Sequence, residues 1–288
     1  GGDERMTTQL VPKRRFKEFY GKWEKYQLSE VAEVISGGTP STINSNYWDG
    51  QIDWYTPTEI ERNIYMTGSQ RKITELGLKN SSAKLLPPFR TILFTSRAGI
   101  GNMAILAKEG STNQGFQSFV LKDNMDTYFL YSMGHKIKEY ALRNASGSTF
   151  LEVSRPTLEK TPLHIPQFAE QQKIGEFFKV LDARLANQER KIEKIKAIKQ
   201  AYLTEMFPQE GEDVPKRRFR NFSRPWEKHL IKDIFKVTRG NVLAVEKVST
   251  KRNKENPYPV YSSQTLNKGL LGYYSEYLYD TAITWTTD

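Results

Sequence analysis

Apolar residues recur at steps of three and four through a long stretch, residues 169–207, that contains no proline. One face of this stretch carries Ile174, Phe178, Leu181, Leu185, Ile192, Ile195, Ile198, Tyr202 and Met206. The spacing predicts a single amphipathic helix with a seam close to that of a coiled coil. At 1.5 Å per residue the helix would be roughly 55 Å long. That length favours a spacer or a partner-binding arm, although a long helix packed on one domain stays an alternative from this pattern alone.

A repeat on either side of the helix decides between these two interpretations. Residues 11–38 read VPKRRFKEFYGKWEKYQLSEVAEVISGG, and residues 214–241 read VPKRRFRNFSRPWEKHLIKDIFKVTRGN. The two stretches align without a gap at an offset of 203 residues, a period far too long for a solenoid. The helix therefore separates the starts of two copies of one domain.

Between the first repeat and the helix, short apolar runs alternate with segments rich in Gly, Pro, Ser and Asn. The apolar runs predict strands at 52–55, 91–94, 103–107, 116–121 and 163–166. The pattern also predicts a helix over 127–142, a weak helix over 72–84 and a short helix or strand over 28–35. The fold class is therefore α+β, with a loop-rich mixed α/β domain, a long central spacer helix of coiled-coil type and the start of a second like domain.

The predicted boundaries divide the chain into four segments. They are a first domain at 16–167, the spacer helix at 168–207, a polar linker at 208–213 and a second domain at 214–288. The second domain is about half as long as the first and stops in what resembles a buried strand, so we expect it to be incomplete. Either the chain is shortened, or further residues follow position 288.

The composition favours a polyanionic partner. The net charge is +10 with a pI of about 9.4, and the excess is spread over residues 1–168 (+4), 169–207 (+2) and 208–288 (+4). A basic body rich in aromatic residues suits nucleic acid, although a role in solubility alone is the alternative. There is no Cys, no apolar run long enough for a membrane span and no signal-peptide pattern at the start. These features predict a cytoplasmic protein without disulfides and without a membrane partner.

The sequence contains no readable catalytic motif. It has no phosphate-binding loop of the GxxxxGK[ST] type, and Gly99-Ile100-Gly101 is too short for a dinucleotide fingerprint. The three histidines lie in different predicted elements and do not have the spacing of metal ligands. We therefore expect a binding protein rather than an enzyme.

Several stretches carry a resemblance to a known family. They are SGGTPSTINSNYWDGQIDWYTPTEI at 36–60, SRAGIGNMAI at 96–105, STNQGF at 111–116, HIPQFAEQQKIGEFFKVLDARL at 164–185 and YPVYSSQTLNKGLLGYYSEYLYDTAITWTTD at 258–288. Over nearly its whole length the chain resembles the specificity subunit of type I DNA restriction–modification systems. The first three stretches resemble a target recognition domain, the fourth the central spacer helix, and the last the first half of a second recognition domain.

The resemblance implies a non-catalytic, sequence-specific DNA-binding subunit that acts in the bacterial cytoplasm on the nucleoid. Each recognition domain would read one half of a bipartite site in double-stranded DNA. Two methylation subunits would dock on the helices, and a restriction subunit would complete the complex. S-adenosylmethionine, ATP and Mg²⁺ would belong to these partners, with no cofactor in this chain. The family has a second long helix that pairs with the first; without it, the spacer helix would self-associate or bind helices of a partner.

The candidate residues follow from the loops and from the helix seam. Polar side chains that reach base edges or phosphates are expected at Thr39, Ser41, Arg97, Asn113, Gln114, Ser146 and Ser148, and in the second domain at Arg239, Ser263 and Gln264. For each of them a turn-forming role is the alternative. The partner-binding seam is expected at Phe178, Leu181, Leu185, Ile192 and Ile195.

Two other functions remain open from the sequence. One is an interaction scaffold whose two repeated domains bind proteins and never DNA. The other is an enzyme fused to a recognition domain, against which the missing catalytic motifs argue.

Overall fold

The computed structural model describes residues 11–60, 63–97, 99–147, 151–263, 266–280 and 282–284. The chain divides into two compact units, residues 1–198 and residues 199–288. The first unit contains the first repeat, the mixed segment that follows it and most of the long helix. The second unit contains the second repeat.

The first unit is built from short strands and helices. Among the described residues its strands are β1 (Glu24–Gln27), β2 (Ala32–Ser36), β3 (Trp48–Tyr55), β4 (Tyr65–Met66), β5 (Arg71–Ile73), β6 (Thr91–Phe94), β7 (Met103–Leu106), β8 (Gly110–Thr112), β9 (Gln117–Leu121) and β10 (Pro162–Ile165). Its helices are α1 (Leu28–Val31), α2 (Glu75–Lys79), α3 (Thr127–Ser132), α4 (Gly134–Arg143), α5 (Arg155–Glu159) and α6 (Phe168–Glu205), which extends past the end of the unit.

The largest sheet has five strands in the order β2-β9-β6-β7-β4. Its neighbouring strands are antiparallel except for β4 and β7, which run parallel. A three-stranded sheet, β5-β3-β8, and the pair β1-β10 complete the strands of the described part of this unit. The mixed sheets and the long helix confirm the predicted α+β fold class.

The five-stranded sheet is covered on both faces, as the strand β6 shows. All four of its residues are buried. Ile92 and Phe94 belong to the apolar cluster that includes α3 and α4, whereas Leu93 belongs to a second cluster on the other face. Because successive side chains of a strand point to opposite faces, a continuous apolar run is what such a strand needs.

The strands predicted from the apolar runs are confirmed, although β3 begins four residues earlier than expected. The segment 28–35 contains both predicted alternatives, since α1 leads directly into β2. The helix predicted over 127–142 is instead two helices, which meet at Met133 with ψ of 0°. Gly134 at this break lies against the Met103 side chain, where a Cβ would be 2.7 Å from the sulfur.

The weak helix predicted over 72–84 is wrong for most of its length. Residues up to Ile73 form β5, which pairs with β3 and buries the Ile73 side chain. A short helix, α2, follows because the Thr74 hydroxyl accepts a hydrogen bond from the N–H of Gly77 and caps its first turn. Sheet pairing and burial override the helical pattern at the start of this segment.

The long helix predicted over 168–207 is present as α6, which ends two residues earlier, at Glu205. Its first turns attach it to the first unit. The Gln171 side chain is buried; it accepts a hydrogen bond from the N–H of Asp126 at 3.1 Å and donates to the Pro166 carbonyl at 3.0 Å. Gly175 allows a close approach, since a Cβ there would lie 2.3 Å from the Asp126 Oδ1 atom. Further along the helix, Asp182 accepts a hydrogen bond from the Tyr128 hydroxyl at 2.8 Å.

Residues of the first repeat also bind the start of helix α6. The Arg15 guanidinium donates to both carboxylate oxygens of Glu170, at 2.7 and 2.6 Å, and also to the carbonyls of Tyr20 and Gly21. The indole N–H of Trp23 donates to the same carboxylate at 3.3 Å. A fully buried carboxylate is stabilised here by paired charge and hydrogen bonds, which is the condition for burying it.

The second unit contains α7 (Ile231–Ile234) and an antiparallel hairpin of β11 (Tyr258–Tyr261) and β12 (Leu270–Tyr274). The register of the hairpin shifts between Val260 and Tyr261. Most apolar residues of the second repeat are exposed.

Candidate nucleic-acid interface

The ends of several strands lie together at one edge of the first unit. Strand β2 ends at Ser36 opposite Gln117, where β9 begins. Strand β6 ends next to this pair. Thr95, the first residue after β6, forms an antiparallel β-bridge with Phe116. The end of β3 lies against the end of β8, with Tyr55 opposite Thr112. The loops that leave these strands therefore meet at a common edge, which we call the loop edge (residues 36–41, 56–60, 95–97, 99–102, 112–117, 145–147 and 151–153).

Two glycines hold the first of these loops against the others. The N–H of Gly37 donates to the Phe116 carbonyl, and that of Gly38 donates to the Thr112 carbonyl at 2.8 Å. A Cβ at Gly37 would lie 1.9 Å from the carbonyl oxygen of Asn113, so no larger residue fits there without moving the backbone. The Gly-rich sequence is needed for loop-to-loop packing.

Thr39 and Gln114, which the sequence predicted separately, meet at the loop edge. The Thr39 hydroxyl donates to the side-chain carbonyl of Gln114, and both residues are exposed. The donors and acceptors that this pair leaves free are of the kind that reads base edges.

Asn113, the neighbour of Gln114, has the turn role that was its alternative. Its side-chain oxygen accepts a hydrogen bond from the N–H of Gly115 at 2.8 Å, and its own N–H donates to the Tyr55 carbonyl. Asn113 therefore shapes the loop from which Gln114 projects.

Arg97 and Ser146 are brought together through Glu152. The Arg97 guanidinium forms an ion pair with Glu152 at 2.8 Å, and both side chains are about half exposed. Ser146 and Glu152 exchange two backbone hydrogen bonds of 2.9 Å, and the N–H of Val153 donates to the carbonyl of Ser96. An exposed ion pair of this kind is weak, so the guanidinium is available for a phosphate or a guanine edge.

The remaining predicted residues show no side-chain hydrogen bond or ion pair with the loop edge among the described residues. Ser41 is exposed, and its carbonyl accepts a hydrogen bond from the Trp48 indole. Arg239 and Ser263 are exposed in the second unit, and the Arg239 carbonyl accepts from the Tyr279 hydroxyl at 3.3 Å. Ser148 and Gln264 lie outside the described residues.

The structure adds polar residues that the sequence reasoning missed. Thr58 is exposed in the turn that follows β3, and that turn packs Pro57 against Gly115, where a Cβ would lie 2.6 Å from the proline ring. Lys138 of α4 lies along Gly101 in the loop after β6. No local signal connects Lys138 with this loop, because the two come together only when α4 packs on the sheet.

A buried carboxylate stabilises the three-stranded sheet. Asp53 forms ion pairs with Lys108 at 3.0 Å and Lys72 at 3.5 Å, and it accepts a hydrogen bond from the N–H of Ser69. Burial acts to raise the pKa of Asp53, but the contact with Lys108, the Ser69 hydrogen bond and the second ammonium group together lower it. Asp53 is therefore ionised and structural.

The predicted partner-binding seam is exposed on helix α6. Phe178, Leu181, Leu185, Ile192 and Ile195 all present apolar surface to solvent within the described part of the chain. An apolar row of this length on one helix is unusual for a surface without a partner.

A search of the described residues finds no cluster of His, Asp and Glu suited to a metal ion. Among the same residues, no helix has the length and hydropathy to cross a membrane.

Comparison with known proteins supplies the family. A family model described as the type I restriction modification DNA specificity domain matches residues 20–197. The MjaIX specificity subunit of a type I restriction enzyme from Methanocaldococcus jannaschii is 32% identical over 230 residues, which is 76% of this chain and 53% of that protein. The EcoR124I/EcoR124II specificity subunit from Escherichia coli is 27% identical over 174 residues, 58% of this chain and 42% of that protein. The chain thus spans about half the length of these curated relatives.

A solved structure supports the fold. The S subunit of a type I restriction–modification system from M. genitalium aligns with a TM-score of 0.54 at 16% identity. The alignment covers 92% of this chain and 65% of that chain. At this identity the likeness concerns the fold alone.

Proposed function

Because the chain belongs to the family of type I restriction–modification specificity subunits, we propose that its first unit reads one half of a bipartite target in double-stranded DNA. The observation that supports this most is the convergence of exposed polar side chains at the loop edge. The pair Thr39 and Gln114 and the pair Arg97 and Ser146 come from four different loops of the loop edge. A rigid sheet that positions such loops is suited to sequence readout.

The contacts at the loop edge divide into two chemical kinds. The Thr39–Gln114 pair carries neutral donors and acceptors, which discriminate between base edges in the major groove. Arg97 and Lys138 carry positive charge, which binds phosphates and positions the unit on the duplex. Arg97 also has the fork geometry for a bidentate contact to guanine.

Helix α6 provides the spacer of this proposal. Its 38 residues correspond to roughly 57 Å, more than one turn of B-DNA at about 34–36 Å. Two methylation subunits dock on its exposed seam, and a restriction subunit joins that assembly in the cytoplasm. The methyl donor, ATP and Mg²⁺ are bound by those subunits, where the chemistry takes place.

The test is a selection on duplexes. The chain is combined with the methylation subunits of its own system and a library with two randomised blocks separated by spacers of different length. Bound duplexes are sequenced after washing at 50 and 200 mM salt. We expect at least one block to converge on a fixed sequence at both salt concentrations.

Two variants make this test specific to the loop edge. Replacement R97A should relax selection at one position of that block by about 1–3 kcal/mol if Arg97 contacts a base, or weaken binding to all sequences equally if it contacts a phosphate. Arg143, an exposed arginine paired with Glu139 on α4, serves as the control through R143A. Binding without convergence in either block would instead indicate an interaction scaffold.

A further inference from the structure

A cavity of about 420 Å³ lies in the first unit, where helices α3, α4 and α6 meet the loop that follows β6. Its volume is within the range of small-molecule sites, about 300–1,000 Å³. Its walls include Asn102, Met103, Tyr131, Lys138, Phe178 and Asp182. Because these residues come from distant parts of the chain, only the fold brings their chemistry together.

Two opposite charges line this cavity without an ion-pair partner among the described residues. One oxygen of Asp182 accepts a hydrogen bond from the Tyr128 hydroxyl at 2.8 Å, and no cationic side chain of the described ranges pairs with this carboxylate. Lys138 is unpaired in the same ranges. Its stem is held against Gly101, where a Cβ would lie 2.4 Å from the lysine Cγ atom. Asp182 and Lys138 do not form an ion pair with each other, so an occupant has to satisfy a carboxylate and an ammonium group at separate places.

Aromatic rings surround the carboxylate. Tyr131 and Phe178 line the cavity, and the Tyr128 ring stands edge-on to Tyr131 with 5.5 Å between the ring centroids. Burial raises the pKa of Tyr128 and of Tyr131, and the charge of Asp182 raises both further, so both phenols stay neutral. A carboxylate beside neutral rings suits a guanidinium group, because its plane stacks on a ring while its N–H groups bind the carboxylate.

The pair of unsatisfied charges restricts the class of occupant. An apolar occupant would leave both charges unpaired, and a simple cation or a simple anion would satisfy only one of them. An amino acid with an uncharged side chain carries its ammonium and carboxylate groups on one carbon. Arginine instead carries its guanidinium group and its carboxylate at the two ends of a flexible chain, which matches two protein charges that are not in contact.

We propose that this cavity binds arginine through its guanidinium group and its α-carboxylate. The guanidinium group pairs with Asp182 and stacks against Tyr131 and Phe178, and the carboxylate binds Lys138. The same two groups occur in the free amino acid and in an arginine at the C-terminus of a polypeptide. Binding at this cavity requires neither DNA nor another subunit, so it stands apart from the proposed function.

The test is isothermal titration calorimetry of the full chain with L-arginine, in the absence of DNA and of other subunits. We expect saturable binding of one molecule per chain. L-citrulline replaces the guanidinium group by a neutral urea group, and agmatine lacks the carboxylate. Each should bind at least roughly tenfold more weakly than arginine, because each leaves one protein charge without its partner.

Two variants assign these losses to the two protein charges. D182N keeps an oxygen that can accept from Tyr128 but removes the charge, so it should weaken arginine binding roughly tenfold and no longer distinguish arginine from citrulline. K138A should bind arginine and agmatine with equal affinity. The matched controls are E189Q, an exposed position further along α6, and K136A, an exposed position on α4. Both should bind arginine within twofold of the wild type.

A third ligand decides the source of the arginine. The tripeptide Gly-Gly-Arg presents the same guanidinium group and a C-terminal carboxylate on a peptide chain. Tighter binding of the tripeptide indicates a polypeptide C-terminus as the ligand, and tighter binding of arginine indicates the free amino acid. Far-UV circular dichroism checks the fold of each variant, and the comparison of arginine with citrulline needs only the wild-type chain. Absence of saturable binding of both ligands, or equal binding of arginine and citrulline to the wild type, would overturn the proposal.

Discussion

Replacement of Gln171 by alanine tests how helix α6 is attached to the first unit. The amide connects three backbone groups, the N–H of Asp126 and the carbonyls of Pro166 and Asn124, at 3.1, 3.0 and 3.4 Å. Gln171 is 3% exposed, so these groups lose their partner in a place that water reaches poorly. A buried polar group without a partner costs about 1–3 kcal/mol, and the longest contact counts for little. We therefore expect Q171A to lower the free energy of unfolding by about 2–4 kcal/mol.

The neighbouring residue provides a matched control. Gln172 is the same residue type in the same turn of the helix, but it is exposed, so Q172A should change the free energy of unfolding by less than about 0.5 kcal/mol. Equilibrium urea unfolding, followed by tryptophan fluorescence and by circular dichroism, measures both variants. If Q171A and Q172A unfold at the same urea concentration, the buried amide does not attach the helix and the reasoning is wrong.

Three further predictions concern the loop edge, the small sheet and the helix seam. Replacement G37A should destabilise the first unit and abolish sequence selection, because its Cβ would meet the Asn113 carbonyl at 1.9 Å; G68A, with nothing within 4 Å, is the control in the same assays. The pKa of Asp53 is lowered from its ordinary value of 3.8, so its stabilisation is complete above that pH and is lost as the pH falls through the lower folded value. Urea midpoints measured from pH 7 to pH 3 should therefore fall more steeply for the wild type than for D53N, and parallel curves would contradict this. Replacement L185D should weaken binding to the methylation subunits at least tenfold in a pull-down titration without changing the urea midpoint, because Leu185 is exposed; an unchanged affinity would remove it from the seam.

The loop edge illustrates how far sequence reasoning reaches into a site. Thr39 and Gln114 are predictable one at a time, because each lies in a Gly-rich turn between apolar runs. Their contact is not predictable, since it depends on the register of β2 against β9. Arg97 reaches Ser146 through Glu152 for the same kind of reason, as the three residues come from two loops far apart in the chain.

The sequence by itself determined the long helix, the repeat and five of the ten strands described in the first unit, β3, β6, β7, β9 and β10. These features depend on the periodicity of apolar residues and on turn chemistry, both of which act over a few residues. The periodicity of apolar residues did not predict the helix break at Met133. At this break Gly134 of α4 packs against Met103 of strand β7, a contact between distant parts of the chain. Local sequence preferences therefore predict where a helix or strand forms better than they predict where it is interrupted.

Only the tertiary structure decided which residues act together. Arg15 and Glu170 are 155 positions apart, and nothing local marks this arginine among its basic neighbours as the one that is buried against a carboxylate. The reason is physical: a buried charge is tolerated only where a partner of opposite charge arrives, and that partner is supplied by packing. The two copies of the repeat also differ in their packing: Arg15 is paired with Glu170, whereas the Nη1 atom of Arg218 is buried without a hydrogen-bond partner among the described residues. Both copies begin with the same six residues, VPKRRF, and only the fold shows that the second arginine of this run has different surroundings in the two copies.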